Sequence, residues 1–253
     1  MKQSFYLLLL SFWAPLLSHA LGNIHVFVPL CDNVNQGIVK VPEKIGNGQD
    51  PGNNLYWGCG YGVKTFFSKS NDWQVVKKWT KPTAIILERI LFKHKTTGVY
   101  MLADAYNGAN MKECTIDFLN ASAGNLVCSV KADSSEIPFG GLSGLCCFTG
   151  HNGLMEFNLE SLPKAKNDSK REVIILACYS KSYFSTAIKS AGASPLVWST
   201  HLMSPEAYTL KAAVDGWLNK ETAEQIRSRA ASAYNQYQKC GEKAARNLLV
   251  TGF

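Results

Sequence analysis

One thiol and one imidazole stand where their chemistry could be used. Cys178 closes the apolar run Val173-Ile-Ile-Leu-Ala177, and His151 follows Leu145-Cys-Cys-Phe-Thr149 and Gly150. A cysteine nucleophile needs a base to take its proton or a cationic partner to hold it as thiolate, and histidine does both near neutral pH. Gly150 and Gly153, on either side of His151-Asn152, let the backbone turn sharply and a substrate approach closely. The N–H groups of Gly153 and Cys178 are candidates for an oxyanion hole. A helix starting after Cys178 would add its positive end. Alone, a cysteine in an apolar run reads as core and a histidine after a strand as a polar cap. Together, in the same half of the chain, they read as a dyad for acyl transfer. His201, after Val197-Trp-Ser-Thr200, is a rival base. Asp32 and Asp104 are pocket candidates that could hold a basic side chain, or acids that cap strand ends; Asn152 is a further pocket candidate.

The supporting elements follow from hydrophobic patterning. Continuous apolar runs at 24–30, 145–149, 173–177 and 195–200 predict strands buried on both faces, which belong to mainly parallel sheets. The runs 83–92 and 99–106 around 93–98 predict a hairpin closed by Gly98, and 126–130 predicts a further short strand. Helices are expected from Asp50-Pro51 towards Phe67, over 109–123 and 181–190, from Ser204-Pro205 towards Leu218, and through most of 221–250. The stretches 33–49, 137–144 and 163–171 read as loops. The Gly58-x-Gly60-x-Gly62 string has neither the preceding strand nor the following Lys-Ser/Thr of a phosphate loop, so it reads as close packing of a helix on its neighbour. Alternating strands and helices predict an α/β three-layer sandwich with a mainly parallel sheet flanked by helices. Ligands in such sheets bind beyond the carboxyl ends of the strands, where Cys31-Asp32, Asp104, His151 and Cys178 are expected, with His201 nearby.

Composition narrows the class. Of 253 residues, 46% are apolar and 18% charged, which excludes a disordered, collagen-like or coiled-coil chain. The net charge of +7 is spread over the sequence without a basic stripe interleaved with aromatics, so no nucleic-acid partner is expected. Residues 1–20 read as a secretory signal peptide, with Lys2 before an apolar core and Ser18-His19-Ala20 at the cleavage site. This implies an exported, periplasmic or secreted protein with no stable membrane span after cleavage, and a single domain over 21–253. The eight cysteines show no zinc-type spacing, so no metal or other cofactor is expected. In an exported protein some could pair, with a connectivity that sequence does not give. Cys146 and Cys147 suit burial on opposite faces of a strand.

These motifs resemble the caspase, legumain, gingipain and clostripain group of cysteine peptidases. There a strand ends in a His-Gly dipeptide and a later strand ends in Cys; here Gly150-His-Asn-Gly153 and Val173–Cys178 stand at those places. The chain also resembles a group of uncharacterised exported bacterial proteins that share the stretch Gly-His-Asn-Gly-Leu-Met. The first resemblance implies a caspase-like fold, Cys178 as nucleophile, His151 as its catalytic partner, and a peptide or protein substrate. Asn152 interrupts the His-Gly dipeptide. His151 lies closer to Cys178 than the about 50 residues of the caspase arrangement. Leu-Ala-Cys-Tyr-Ser replaces the caspase signature, so caspase specificity is not implied. The alternative is a catalytically inactive member of the fold that binds a peptide or an envelope component.

Overall fold

The computed structural model describes residues 22–132 and 135–253. The leader expected at 1–20 lies outside them. Strand β1 (Ile24–Pro29) runs into a long irregular stretch that ends in helix α1 (Val63–Lys69). An antiparallel arm follows, β2 (Trp73–Thr80), β3 (Ile86–His94) and β4 (Tyr100–Tyr106), then α2 (Met111–Ala123) and a two-stranded ribbon, β5 (Val127–Ala132) and β6 (Ser135–Gly140). The second half contributes β7 (Leu145–Thr149), β8 (Arg171–Leu176), α3 (Ser180–Ser190), β9 (Ala193–Ser199), α4 (Ala207–Leu218), α5 (Ala223–Gln238), α6 (Glu242–Leu248) and the short β10 (Leu249–Val250).

The main sheet has eight strands in the order β10-β9-β8-β7-β1-β4-β3-β2. The central block from β9 to β4 is parallel; β10 pairs antiparallel with β9 on one side, and β3 pairs antiparallel with both β4 and β2 on the other. The protein is thus an α/β sandwich built on a mainly parallel mixed sheet flanked by helices.

Side chains alternate cleanly between the two faces, as a period of two requires. Val26, Val28, Cys147, Ile174 and Leu176 enter one core with α1, α4 and α5, where Phe67, Tyr208, Trp217 and Ile226 cover them. Phe27, Cys146, Phe148, Val173 and Ile175 enter the other, against α2 and α3. There the rings of Phe27, Phe118, Phe148 and Phe184 form a chain with successive centroids 5.5–5.9 Å apart. This two-sided burial explains why β1, β7 and β8 carry continuous apolar runs rather than alternating ones.

Several expectations are corrected. No helix starts at Asp50. Its carboxylate accepts the Gly52 N–H at 2.8 Å and closes a turn, and the Asn54 side chain is drawn off to bond the Cys31 N–H and carbonyl at 3.0 and 2.8 Å. Gly58 and Gly62 do pack closely, but in turns: a Cβ at Gly58 would strike the Gly52 carbonyl, and one at Gly62 the Trp57 backbone. Strand β2 lies on the edge, with mostly exposed or half-exposed side chains, and so lacks an apolar run. The loop expected at 137–144 begins as β6, which includes Pro138 at a position an edge ribbon tolerates. Ser204 does not cap α4, which starts at Ala207. The C-terminal helical stretch is broken at Lys239, in the left-handed conformation, and at Gly241.

Candidate functional site

Chain order reverses at β1: β4 lies on one side of it, and β7, β8 and β9 follow in sequence on the other. Beyond the carboxyl ends of these strands lies a cavity of about 520 Å³. The loop after β1 supplies Gly37, Ile38, Val39, Val41, Leu55 and Tyr56, the turn after β7 supplies Gly150, His151 and Met155, and the bend after β8 supplies Cys178. Leu202–Glu206, after β9, and Gln238 complete the wall. The two residues expected to form a dyad therefore line one space.

Each is held by a distinct local device. After β8 the chain bends at Tyr179, whose φ of 51° is in the left-handed region that a bulky side chain rarely adopts. The bend is fixed from several sides. Tyr179 N–H donates to the His201 carbonyl at 2.9 Å, and the Ser180 hydroxyl donates back to the Ile175 carbonyl at 2.8 Å. Ser199 N–H donates to that same hydroxyl at 2.8 Å. Cys178 thus sits at a strained strand-to-helix turn, a placement typical of functional residues. Its sulfur accepts from the Met203 N–H at 3.4 Å and lies 3.6 Å from the Met203 carbonyl.

His151 is mostly buried, and its Nε2 pairs with the Glu156 carboxylate. The same carboxylate oxygen accepts the Gly37 N–H at 2.6 Å, so Glu156 ties the imidazole to the strap after β1. Glu156 was not singled out in the sequence, although an acid five residues after a candidate base is a usable signal when a short turn folds it back. The turn here is the 3₁₀ segment Gly153–Met155, capped by the Asn152 side chain, which accepts the Leu154 N–H at 3.1 Å. Asn152 is fully buried and also donates through Nδ2 to the Cys178 carbonyl at 2.7 Å. The residue that interrupts the His-Gly dipeptide therefore staples the turn after β7 to the bend after β8. It holds the site together without lining the cavity.

The remaining candidates lie elsewhere. Gly153 does not line the cavity; its Cα faces the Phe157 ring and Met111, where any Cβ would clash. Asp32 is buried, but its carboxylate is consumed by Val34 N–H at 2.9 Å, Asn35 N–H at 3.1 Å, Asn35 Nδ2 at 2.8 Å and Gln49 Nε2 at 3.0 Å. Burial alone would raise its pKa; the Asn35, Val34 and Gln49 donors outweigh burial and hold the carboxyl below its ordinary value. Asp104 is not at a strand end. It lies inside β4 opposite Arg89 of β3, fully buried, with Arg89 Nε and Nη2 at 2.6 and 2.7 Å and His25 Nε2 at 3.0 Å. His201 is exposed outside the cavity, its Nδ1 bonded to the Thr200 hydroxyl at 2.8 Å.

All eight cysteines are free thiols. Cys146 and Cys147 are buried on opposite faces of β7, and burial pushes the Cys146 thiol up to about 12. Among the described residues, no group of three or more His, Cys, Asp or Glu is placed to hold a metal ion, and no helix is long and apolar enough to cross a membrane. No family model, curated protein or solved structure matches the chain significantly.

Proposed function

We propose that the cavity is the active site of a cysteine hydrolase that cleaves peptide or related amide bonds. The observation that carries this reading is the convergence of Cys178 and His151 on one cavity, from turns after adjacent parallel strands, with the imidazole braced by Glu156. A base oriented by a third group is the recurring form of an activated nucleophile. Because Nε2 faces Glu156, Nδ1 is the nitrogen left for proton transfer.

In the proposed course the Cys178 thiolate attacks the scissile carbonyl carbon and forms a C–S bond. The imidazolium gives its proton to the leaving nitrogen as the C–N bond breaks. Neutral His151 then takes a proton from water, whose oxygen attacks the thioester. The C–S bond breaks, the acid leaves, and the thiolate–imidazolium pair is restored. The Cys178 N–H, at the bend before α3, is the remaining oxyanion donor of the two foreseen. The Gly150 N–H is not free for that role, since it donates to the Leu176 carbonyl at 3.1 Å. The signal-like residues 1–20 support action outside the cytoplasm.

The test is labelling by a thiol-directed acyloxymethyl-ketone probe. Cys178→Ala should abolish it, and His151→Ala should slow it by roughly 10²–10⁴-fold, the usual range for a lost acid–base group. Unchanged labelling in both variants removes the enzyme reading.

One observation favours a second reading, a binding module without catalysis. Among the described residues, the hydrogen bonds of the Cys178 sulfur go to Met203 and that of His151 Nε2 to Glu156, and none joins the two. Alkylation of Cys178 no faster than that of a simple thiol, and insensitive to His151→Ala, would support that reading.

A further inference from the structure

The cavity wall is mostly apolar. Val39, Val41 and Leu55 come from the strap and loop after β1, Met155 from the turn after β7, and Leu202 and Met203 from the segment after β9. At its rim Val39 is 91% and Leu202 65% exposed, a cost in water that an apolar ligand would relieve. The titratable lining groups other than tyrosine are Cys178, His151 and Glu206. The first two belong to the proposed chemistry. Glu206 Oε2 already accepts from the Tyr208 hydroxyl at 2.7 Å and from Gln238 Nε2 at 3.2 Å. Asp32 and Asp104, which could have recognised a basic side chain, are saturated in the framework. A carboxylate carried into this space would face the Glu206 charge, and an ammonium or guanidinium would find only that one carboxylate, already holding two donors, against the loss of its water, whereas each methylene would gain by leaving water.

We propose that this cavity selects a substrate whose acyl-side residue carries a large uncharged apolar side chain, of the leucine, methionine or phenylalanine kind, and discriminates against ionised ones. The selection refers to the same site as the proposed hydrolase and rests on that reading for its catalytic meaning, but it can be measured apart from catalysis.

The full chain carrying Cys178→Ala is titrated with acetyl-Gly-Gly-norleucinamide and with its lysine and aspartate counterparts. The norleucine peptide should bind at least about tenfold more tightly than either, the low end of discrimination by an apolar pocket. Val39→Asp, at an exposed rim position that folding does not need, should reduce that lead and strengthen the lysine peptide. Equal or tighter binding of the lysine or aspartate peptide to the unmodified wall overturns the proposal, and so does the absence of binding by all three. The wild-type chain is then treated with acyloxymethyl ketones bearing the same three residues. If none labels Cys178 while the norleucine preference in binding persists, the hydrolase reading fails and the apolar selection stands. If labelling is fast but fastest for lysine or aspartate, the hydrolase reading stands and the selection fails.

Discussion

Replacing Asp104 by asparagine separates framework from site. The carboxylate is fully buried and accepts three hydrogen bonds, two from Arg89 at 2.6 and 2.7 Å and one from His25 at 3.0 Å. The amide of Asp104→Asn keeps the shape but turns N–H groups towards donors and leaves the Arg89 guanidinium, itself 14% exposed, without a counter-charge. Breaking a buried pair on one side costs about 3–5 kcal/mol. For a chain of this size each kcal/mol lowers Tm by roughly 2–4 °C, so even the low end of that cost predicts a fall of roughly 6–12 °C by thermal unfolding at pH 7. Replacing both partners together, as Arg89→Met with Asp104→Leu, should recover most of the loss, because no uncompensated charge remains. The pH dependence has a definite sign. Burial would raise the Asp104 pKa, but the Arg89 and His25 bonds outweigh burial and depress it. Its stabilisation is therefore complete above the unfolded carboxyl value of about 3.9 and is lost as pH falls through the lower folded value. The gap between wild type and Asp104→Asn should persist at pH 5 and close in stronger acid. Below the melting range, alkylation of Cys178 should stay within about twofold of wild type, as expected of a surface-distant framework change. A variant that melts within about 2 °C of wild type would refute the argument, as would one that keeps its Tm and loses Cys178 reactivity.

Glu156→Gln should slow acyloxymethyl-ketone labelling by about tenfold or more, yet less than His151→Ala, because the base remains while its orienting charge is lost; a rate equal to wild type would remove Glu156 from the site. In a timed thiol titration at pH 8, Cys240 and Cys178 should react in the native state, whereas Cys31, Cys114, Cys146 and Cys147, fully buried and with burial pushing the Cys31 thiol up to about 11, should wait for unfolding. Early reaction of any of these four would contradict the packing of β1, α2 or β7. Gly58→Ala should destabilise by about 1–3 kcal/mol in urea unfolding, since its Cβ meets backbone, while Gly60→Ala, with nothing within 4 Å, should stay within about 0.5 kcal/mol.

The parts of the fold that were legible in sequence are those where a local pattern and the final environment impose the same demand. β1, β7 and β8 are buried on both faces, so their apolar runs are continuous and their ends stand out. Helix α2 ends where Gly124 takes the left-handed conformation, and Gly98 turns the hairpin in the same way. Legibility fails where the deciding partner is distant in sequence. Nothing near Asn54 announces that its amide will be spent on Cys31, which ties the turns after Asp50 back to the end of β1. Nor does the stretch around Asp104 reveal Arg89 as its register partner, and without that partner an acid near the end of an apolar run reads as a strand-end residue.

The same division runs through the site. Residue type and placement at strand ends pointed to Cys178 and His151, because a parallel sheet brings the ends of neighbouring strands together whatever the loops do. What the loops decide was hidden: that Asn152 binds the two turns to each other, that Glu156 folds back onto the imidazole, and that the acids near the ends of β1 and β4 are saturated before they reach the cavity. Glu156 has a further consequence. One oxygen of its carboxylate receives both the imidazole and the Gly37 N–H, and Gly37 begins the strap that supplies Ile38, Val39 and Val41 to the wall. Loosening Glu156 therefore frees the imidazole and the apolar wall together. A substitution there should change how tightly an apolar ligand is held as well as how fast Cys178 reacts, whereas His151→Ala, which leaves the Gly37 bond in place, should change mainly the second.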